Sequence, residues 1–204
     1  MPKDIHSLIN GYHTFRQRYF GDQDTVYRRD GQQPKAMVIA CVDSRVDPSL
    51  IFNSEPGDVL VVRNIANLIP PYQRRDDYEA TSAALEFAVC HLAIPDIVIL
   101  GHSRCAGIRS LCVPVQNDTF IRPWMQLAYP AYQQVKDRYP ALDEQWDACA
   151  KQALLNSLAN LHTFPWVHKS VQTGQLTLHA WYFDLATGII HRFDPPSQRF
   201  QALA

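Results

Sequence analysis

The feature that most constrains the fold of this chain is a series of short, continuous apolar runs separated by stretches of helical character. Three such runs lie within the predicted strands 36–41, 59–62 and 96–101, the last of them over residues 97–100. Uninterrupted apolar residues, without polar alternation, are typical of strands that are buried on both faces. Short apolar strands that alternate with helices predict an α/β fold, in which helices cover a mainly parallel central β-sheet.

The remaining pattern places helices around these strands and an antiparallel pair at the end of the chain. Helices are predicted over residues 4–20, 48–52, 78–93, 121–136 and 141–163, with Pro95 closing the third, Pro140 separating the last two and Pro165 stopping the last. Two final strands, 176–183 and 189–193, flank Thr187-Gly188 and predict a hairpin. We therefore expect a single domain over residues 1–204, with an N-terminal helical arm and a C-terminal antiparallel edge.

Composition excludes several classes of protein. With 47% hydrophobic and 19% charged residues the chain is not disordered, and its net charge of -1 lacks the basic excess of a nucleic-acid binder. No apolar run approaches the roughly 20 residues of a membrane span, and the first twenty residues have no continuous apolar core. Five cysteines, an odd number, do not form a disulfide framework. We expect a cytoplasmic protein without a membrane or nucleic-acid partner.

Two of the predicted strands run into residues that bind metals. The first continues into Cys41-Val-Asp43-Ser-Arg45, and the third into Gly101-His102-Ser-Arg-Cys105. Ligands of parallel sheets lie beyond the carboxyl ends of the strands, and neighbouring strand ends are about 5 Å apart. Two thiolates and one imidazole select zinc among the available metals. The two strand ends therefore predict one zinc site.

The number of ligands separates a catalytic site from a structural one. A structural zinc is closed by four protein ligands, whereas a catalytic zinc has three and keeps one replaceable position. Here a fourth ligand is not evident, because the other three cysteines have no motif-like neighbours. The alternative is that the cysteines are inert core residues and that Asp43 and Arg45 form an ordinary loop ion pair.

Several motifs together resemble those of the β-class carbonic anhydrases, in particular of their plant-like branch. They are Cys41-Val-Asp-Ser-Arg-Val-Asp-Pro48, Glu55-Pro-Gly-Asp58, Val62-Arg-Asn-Ile-Ala-Asn67, Gly101-His-Ser-Arg-Cys-Ala-Gly107, Asn156-Ser-Leu-Ala-Asn-Leu161, Pro165-Trp-Val167 and Leu178-His-Ala-Trp181. The resemblance covers nearly the whole chain. It implies the reversible hydration of carbon dioxide to bicarbonate and a proton, by a zinc-bound hydroxide.

The resemblance also assigns roles to individual residues. It makes Cys41, His102 and Cys105 the ligands of one Zn²⁺ per chain, and Asp43 and Arg45 the catalytic dyad. Asp43 would accept a hydrogen bond from the nucleophile, while Arg45 would hold that carboxylate away from the metal. Two alternatives remain: relatives with the same ligands hydrolyse carbon disulfide or carbonyl sulfide, and a zinc scaffold would be non-catalytic. A scaffold needs no dyad.

Residues expected to bind substrate follow from the same resemblance. They are Gln32, Leu60, Phe87, Ala106 and Gly107. Gln32 would reach substrate across a dimer interface, and Phe87 stands where plant relatives have a tyrosine. Ala106 replaces a glycine but keeps the backbone N–H that contacts an anion in the family. Core packing explains Leu60 and Phe87 equally well.

The resemblance predicts an oligomer and an open site. The arm, residues 1–34, would pack on a neighbouring subunit, which gives a homodimer or a multiple of dimers such as a homotetramer. One branch of the family binds inhibitory bicarbonate through a tryptophan three residues before the first cysteine, together with an arginine. That position is Val38 here, although Arg63 remains. We therefore expect no inhibitory pocket and, at neutral pH, Asp43 paired with Arg45.

Overall fold

A mixed six-stranded sheet organises the computed structural model, which describes residues 5–21, 27, 31–73, 78–113 and 119–203. The strands are β1 (Ala36–Cys41), β2 (Val59–Asn64), β3 (Asp96–His102), β4 (Thr177–Phe183), β5 (Ile190–Asp194) and β6 (Arg199–Ala202), in the order β2-β1-β3-β4-β5-β6. The first four pair in parallel, and β5 and β6 pair antiparallel. This confirms the predicted fold class and the antiparallel edge.

Eight α-helices are found among the described residues. They are α1 (Ile5–Phe20), α2 (Pro48–Ile51), α3 (Ala80–Glu86), α4 (Ala106–Cys112), α5 (Ile121–Met125), α6 (Tyr129–Val135), α7 (Leu142–Leu161) and α8 (Pro165–Gln172). Short 3₁₀ turns cover Ile65–Asn67 and Gln126–Ala128, and a π-turn covers Phe87–His91. Within this part of the chain, no helix combines the length and the apolar character that a membrane crossing requires.

The chain divides into two units, Met1–Gln33 and Pro34–Ala204. In the first unit α1 has no buried residue, and Phe15, Tyr19, Phe20 and Tyr27 form a cluster of ring contacts with centroids 5.0–6.0 Å apart. Helix α1 begins within one residue of the predicted helix. The packing of residues 1–34 on a neighbouring subunit stays a prediction.

The core of the second unit lies on both faces of the central strands. Alternate residues of β1 and β3 supply both faces, because successive side chains of a strand point to opposite sides. Met37, Ile39, Ile97 and Ile99 belong to the larger cluster, which contains much of α7. Val38, Ala40, Val98 and Leu100 form a smaller one. The two strands that carry the predicted ligands are therefore the most deeply buried strands of the sheet.

Strand β2 differs from the prediction of a buried strand. It lies at one edge of the sheet, pairs only with β1, and its residues are half-buried or exposed, with Val61 38% exposed. An apolar run shows that a strand can be buried, but it carries no information about the strand's place in the sheet.

Helix boundaries differ from prediction mainly at proline. Pro165 was expected to stop a helix, but α7 already ends at Leu161 and Pro165 begins α8. Proline is favoured at a helix start, because its missing N–H would have no partner there in any case. The region 121–136 is divided into α5, a 3₁₀ turn and α6, and the region 78–93 into α3 and a π-turn. The short strand β6 was not predicted.

Helix α4 packs against the 3₁₀ turn Ile65–Asn67 at Gly107. A Cβ atom built on Gly107 would lie 2.6 Å from Cγ2 of Ile65 and 3.3 Å from Cβ of Ala66. Both neighbours are stiff, because one atom belongs to a β-branched side chain and the other is attached directly to the backbone. Glycine therefore allows the close approach of these two elements.

We predict that Gly107→Ala lowers the free energy of unfolding by about 1–2 kcal/mol. Overpacking costs up to about 3 kcal/mol and outweighs the helix propensity of alanine, which favours the change by about 1 kcal/mol. Gly11→Ala is the matched control, because a Cβ on Gly11, also within a helix, meets nothing within 4 Å. Chemical denaturation of both variants measures the difference. Equal stability of Gly107→Ala and wild type would contradict the close approach.

Candidate metal centre

The ends of two neighbouring parallel strands bring three metal-ligating side chains together. Cys41 is the last residue of β1 and His102 the last of β3, and Cys105 follows after a tight turn. All three are buried, and one ligand atom of each lies within 4.8 Å of the others. The two sulfur atoms are 3.8 Å apart. The residues that the sequence predicts as ligands thus form one compact group.

The histidine ring is oriented so that one nitrogen remains for a ligand. Nδ1 of His102 lies 2.8 Å from the carbonyl oxygen of Ser103. A carbonyl only accepts hydrogen bonds, so Nδ1 carries the proton and Nε2 keeps a lone pair. Nε2 is buried and has no hydrogen-bond partner among the described residues. An unpartnered buried lone pair beside two sulfurs fits a metal ion, and this donor set fits zinc.

The two cysteine thiols share one proton in the absence of a cation. A hydrogen bond from the Cys105 thiol lowers the pKa of Cys41 far below its usual range, and the N–H of Ala66 acts in the same direction. The neighbouring Cys41 sulfur and burial raise the pKa of Cys105. Two buried thiolates this close need a positive charge between them, which a divalent metal ion supplies.

Asp43 and Arg45 form a bidentate ion pair beside this group. Nε and Nη2 of Arg45 donate to Oδ1 and Oδ2 of Asp43 at 2.9 and 2.7 Å, and the Arg45 backbone N–H donates to Oδ1 at 3.0 Å. These bonds hold the pKa of the Asp43 carboxyl well below its usual range. Asp43 is therefore ionised at neutral pH and is held by Arg45, as the predicted open arrangement requires.

Residues 41–47, here called the first ligand loop, are anchored by an arginine from β2. Arg63 donates from Nε to the carbonyl oxygen of Cys41 at 2.9 Å and from Nη2 to that of Asp43 at 2.5 Å. Its Nη1 pairs with Oδ2 of Asp47 at 3.0 Å. The sequence contained Arg63 within a recognisable motif, but nothing in its spacing indicated these contacts.

Residues 102–105, the second ligand loop, are anchored by α7. Oδ1 of Asp147 accepts from the Arg104 N–H at 3.1 Å, and Nε1 of Trp146 donates to the Cys105 carbonyl at 2.6 Å. Arg104 has a φ of 55°, a left-handed conformation that is uncommon for residues other than glycine. The two anchoring residues were missed in the sequence, because they are about 40 positions from the loop and belong to no motif.

The predicted substrate residues lie in several elements. Leu60 is on β2 and packs on the larger core, while Phe87 is exposed and stacks on His91 at 5.8 Å. Ala106 and Gly107 form the first turn of α4, directly after Cys105, where the Gly107 N–H acts on the Cys105 sulfur. Gln32 lies in the first unit. Substrate contact stays a prediction for all five.

Comparison with known proteins places these features in a family. A sequence model of the carbonic anhydrase family matches residues 36–190. A carbonic anhydrase of Synechocystis is 33% identical over 96% of this chain and 76% of its own. The solved structure of the β-carbonic anhydrase CcaA is similar with a TM-score of 0.85, at 30% identity over 98% of this chain and 99% of its own. Tetrameric β-carbonic anhydrases of Sordaria macrospora are similar with a TM-score of 0.78, at 25% identity over 91% and 93% of the chains.

The shared proton leads to a prediction for the metal-free protein. At pH 7 one thiolate should give its ultraviolet absorption, and this signal should disappear as the pH falls through the lowered pKa of Cys41. Cys105→Ala removes the hydrogen bond that lowers this pKa, so most of the thiolate signal at pH 7 should be lost. The exposed Cys90 serves as control, and Cys90→Ala should leave the signal unchanged. A Cys105→Ala protein with the full signal would contradict the coupling.

Proposed function

The chain belongs to the β-class carbonic anhydrases, and on that premise we propose that the site at the ends of β1 and β3 hydrates carbon dioxide reversibly to bicarbonate and a proton. The observation that carries this conclusion is the buried group of Cys41, His102 and Cys105, with the ionised Asp43 next to it. Three protein ligands with a fourth position left for water are the pattern of a catalytic zinc site, and the neighbouring carboxylate can orient that water.

We propose that Cys41, His102 and Cys105 hold one zinc ion per chain. When bound, zinc supplies the Lewis acidity that makes water a nucleophile at neutral pH. The two sulfurs compensate much of the ion's charge, and the Nδ1–H bond to Ser103 keeps Nε2 of His102 in its lone-pair form. Because all three ligands are buried, bulk water cannot reach the metal site through the protein core.

In the proposed mechanism Asp43 and Arg45 orient the attacking water. The Asp43 carboxylate, ionised at neutral pH, accepts a hydrogen bond from that water and so aims an oxygen lone pair at the carbon of carbon dioxide. Arg45 occupies both carboxylate oxygens of Asp43, which prevents the carboxylate from becoming a metal ligand itself. The side chain of Arg45 is 55% exposed and that of Asp43 14%, so the pair lies where the site meets solvent.

The proposed substrate contacts are those implied by the family. Leu60 and Phe87 would form apolar walls, which suit a small neutral molecule. The N–H of Ala106 would contact the bicarbonate anion, Gly107 would line the same site, and Gln32 would contact substrate from a neighbouring subunit. Hydrolysis of carbon disulfide or carbonyl sulfide is not favoured, because the matched relatives are carbonic anhydrases.

Assembly into a dimer or a multiple of dimers is also proposed. Helix α1 buries none of its side chains and exposes Ile5, Leu8, Ile9 and Tyr12, an apolar stripe of the kind that packs on another surface. The related Sordaria macrospora enzymes are tetrameric.

We further propose a cytoplasmic location, since each of the five cysteines is a free thiol, as is usual in a reducing compartment.

Substitutions should separate the metal ligands from the dyad. Cys105→Ala should lose zinc, whereas Asp43→Asn and Arg45→Gln should keep close to one zinc per chain and lose about 10–100-fold of the hydration rate. Elemental analysis and stopped-flow carbon dioxide hydration measure both quantities. The control is Asp58→Asn, which removes the charge of the exposed Lys35–Asp58 pair, keeps an oxygen for the Glu55 N–H and should change neither quantity. Normal turnover in both dyad variants, or full zinc in Cys105→Ala, would refute the assignment.

The assembly is tested by sedimentation equilibrium. A dimer or tetramer at micromolar concentration is expected, and Leu8→Glu, which places a charge within the apolar stripe of α1, should shift the population toward smaller species. Asn10→Glu adds the same charge at an exposed position of α1 outside the stripe, and it should leave the population unchanged. A wild-type protein that sediments as a single 23.3 kDa chain would exclude the oligomer.

A further inference from the structure

We propose that Arg63 is a positioning residue for hydration, which holds the backbone of the first ligand loop and thereby places Asp43 beside the metal site. The inference rests on the proposed function, because it concerns the geometry in which Asp43 meets the attacking water. Arg63 would act by binding backbone atoms of this loop, and not by contacting an anion.

The contacts of Arg63 involve all three guanidinium nitrogens. Nε and Nη2 bind the carbonyl oxygens of Cys41 and Asp43, which are two residues apart, while Nη1 pairs with the carboxylate of Asp47. A guanidinium is planar and its donors have a fixed fork geometry, so it determines the relative positions of the three acceptors. The Arg63 side chain thus binds both ends of the first ligand loop, at Cys41 and Asp47, and its interior at Asp43.

The loop needs this support because its backbone pairing with β2 ends early. In the parallel register Cys41 lies opposite Asn64, and the last ladder bond runs from the Val42 N–H to the Asn64 carbonyl at 3.0 Å. The Arg63 side chain then binds the Asp43 carbonyl, which also accepts from the N–H of Val46 at 3.1 Å. Arg63 therefore continues the anchoring where the β-ladder stops.

Asp47 connects the anchored loop to the next helix. Its Oδ1 accepts from the Ser49 N–H at 2.9 Å and caps α2, while its Oδ2 binds Arg63. The Asp43 side chain itself is bound by Arg45, which is more than half exposed. Arg45 lies on the same loop and fixes the orientation of the Asp43 carboxylate within that loop. The position of the loop itself relative to the metal site is fixed by the backbone anchor at Arg63.

The test compares Arg63→Gln and Arg63→Lys with the matched control Lys35→Gln. Lys35 also extends from the β1–β2 region and pairs with a carboxylate, Asp58, at 2.7 Å, but contacts no carbonyl of the ligand loops. In zinc-loaded Arg63→Gln we expect kcat to fall about 10–100-fold with little change in KM, and zinc transfer to a chelator to become several-fold faster. Arg63→Lys should lie between Arg63→Gln and wild type in kcat and in the rate of zinc transfer, since the lysine ammonium replaces some of the guanidinium donors. Lys35→Gln should match wild type.

The outcomes separate positioning from simple support of the fold. A loss of kcat that is fully explained by a lower zinc content or a lower folded fraction would overturn the proposal, as would wild-type kcat in Arg63→Gln. If Arg63→Gln does not fold, Asp47→Asn takes its place, because asparagine keeps an oxygen to cap α2. This variant must show a smaller change in kcat and in the rate of zinc transfer to the chelator. Wild-type values of both quantities would overturn the proposal. Failure of the zinc-loaded wild type to hydrate carbon dioxide would instead refute the proposed function, and the chelator rate would still test the anchoring.

Discussion

The site depends on the parallel pairing of β1 with β3, because this pairing brings Cys41 and His102 to neighbouring strand ends. Both strands are buried at the centre of the sheet, with apolar side chains on both faces. A shift of register would move the ligand of one strand by about 3.3 Å per residue, and a shift by one residue would turn every side chain of that strand to the other face. The apolar packing of the sheet therefore determines the geometry of the site, and two of its three ligands, Cys41 and Cys105, belong to the core itself.

Electrostatics makes this site demanding to build. Two thiols 3.8 Å apart, both buried, cannot both ionise without a nearby cation, and the lone pair of His102 Nε2 lacks a partner. The protein therefore holds three groups in an arrangement that is unfavourable until a metal ion binds. Hydrogen bonds from neighbouring elements keep the two ligand loops in place. Arg63 of β2 binds the first loop, and Trp146 and Asp147 of α7 bind the second.

Much of this arrangement could be predicted from the sequence, since it is encoded locally. The bounds of β1 agree with the apolar run 36–41, and the motifs at Cys41 and His102 follow directly on their strands. The exposure of β2 and the contacts of Trp146 and Asp147 could not be predicted, because they depend on which elements become neighbours. The role of Pro165 was predicted wrongly for a local reason. Proline is found both after the end of a helix and at the first position of the next one, and here it begins α8.

X-ray absorption at the zinc K-edge of the loaded protein tests the central claim most directly, because it counts the ligands by element. Two thiolates and one imidazole predict two sulfur atoms at about 2.3 Å and a shell of nitrogen and oxygen at about 2.0–2.1 Å. The Cys105→Ala protein should lose one sulfur from any zinc that it retains. A wild-type spectrum with four sulfur neighbours, or with none, would contradict a site built from Cys41, His102 and Cys105.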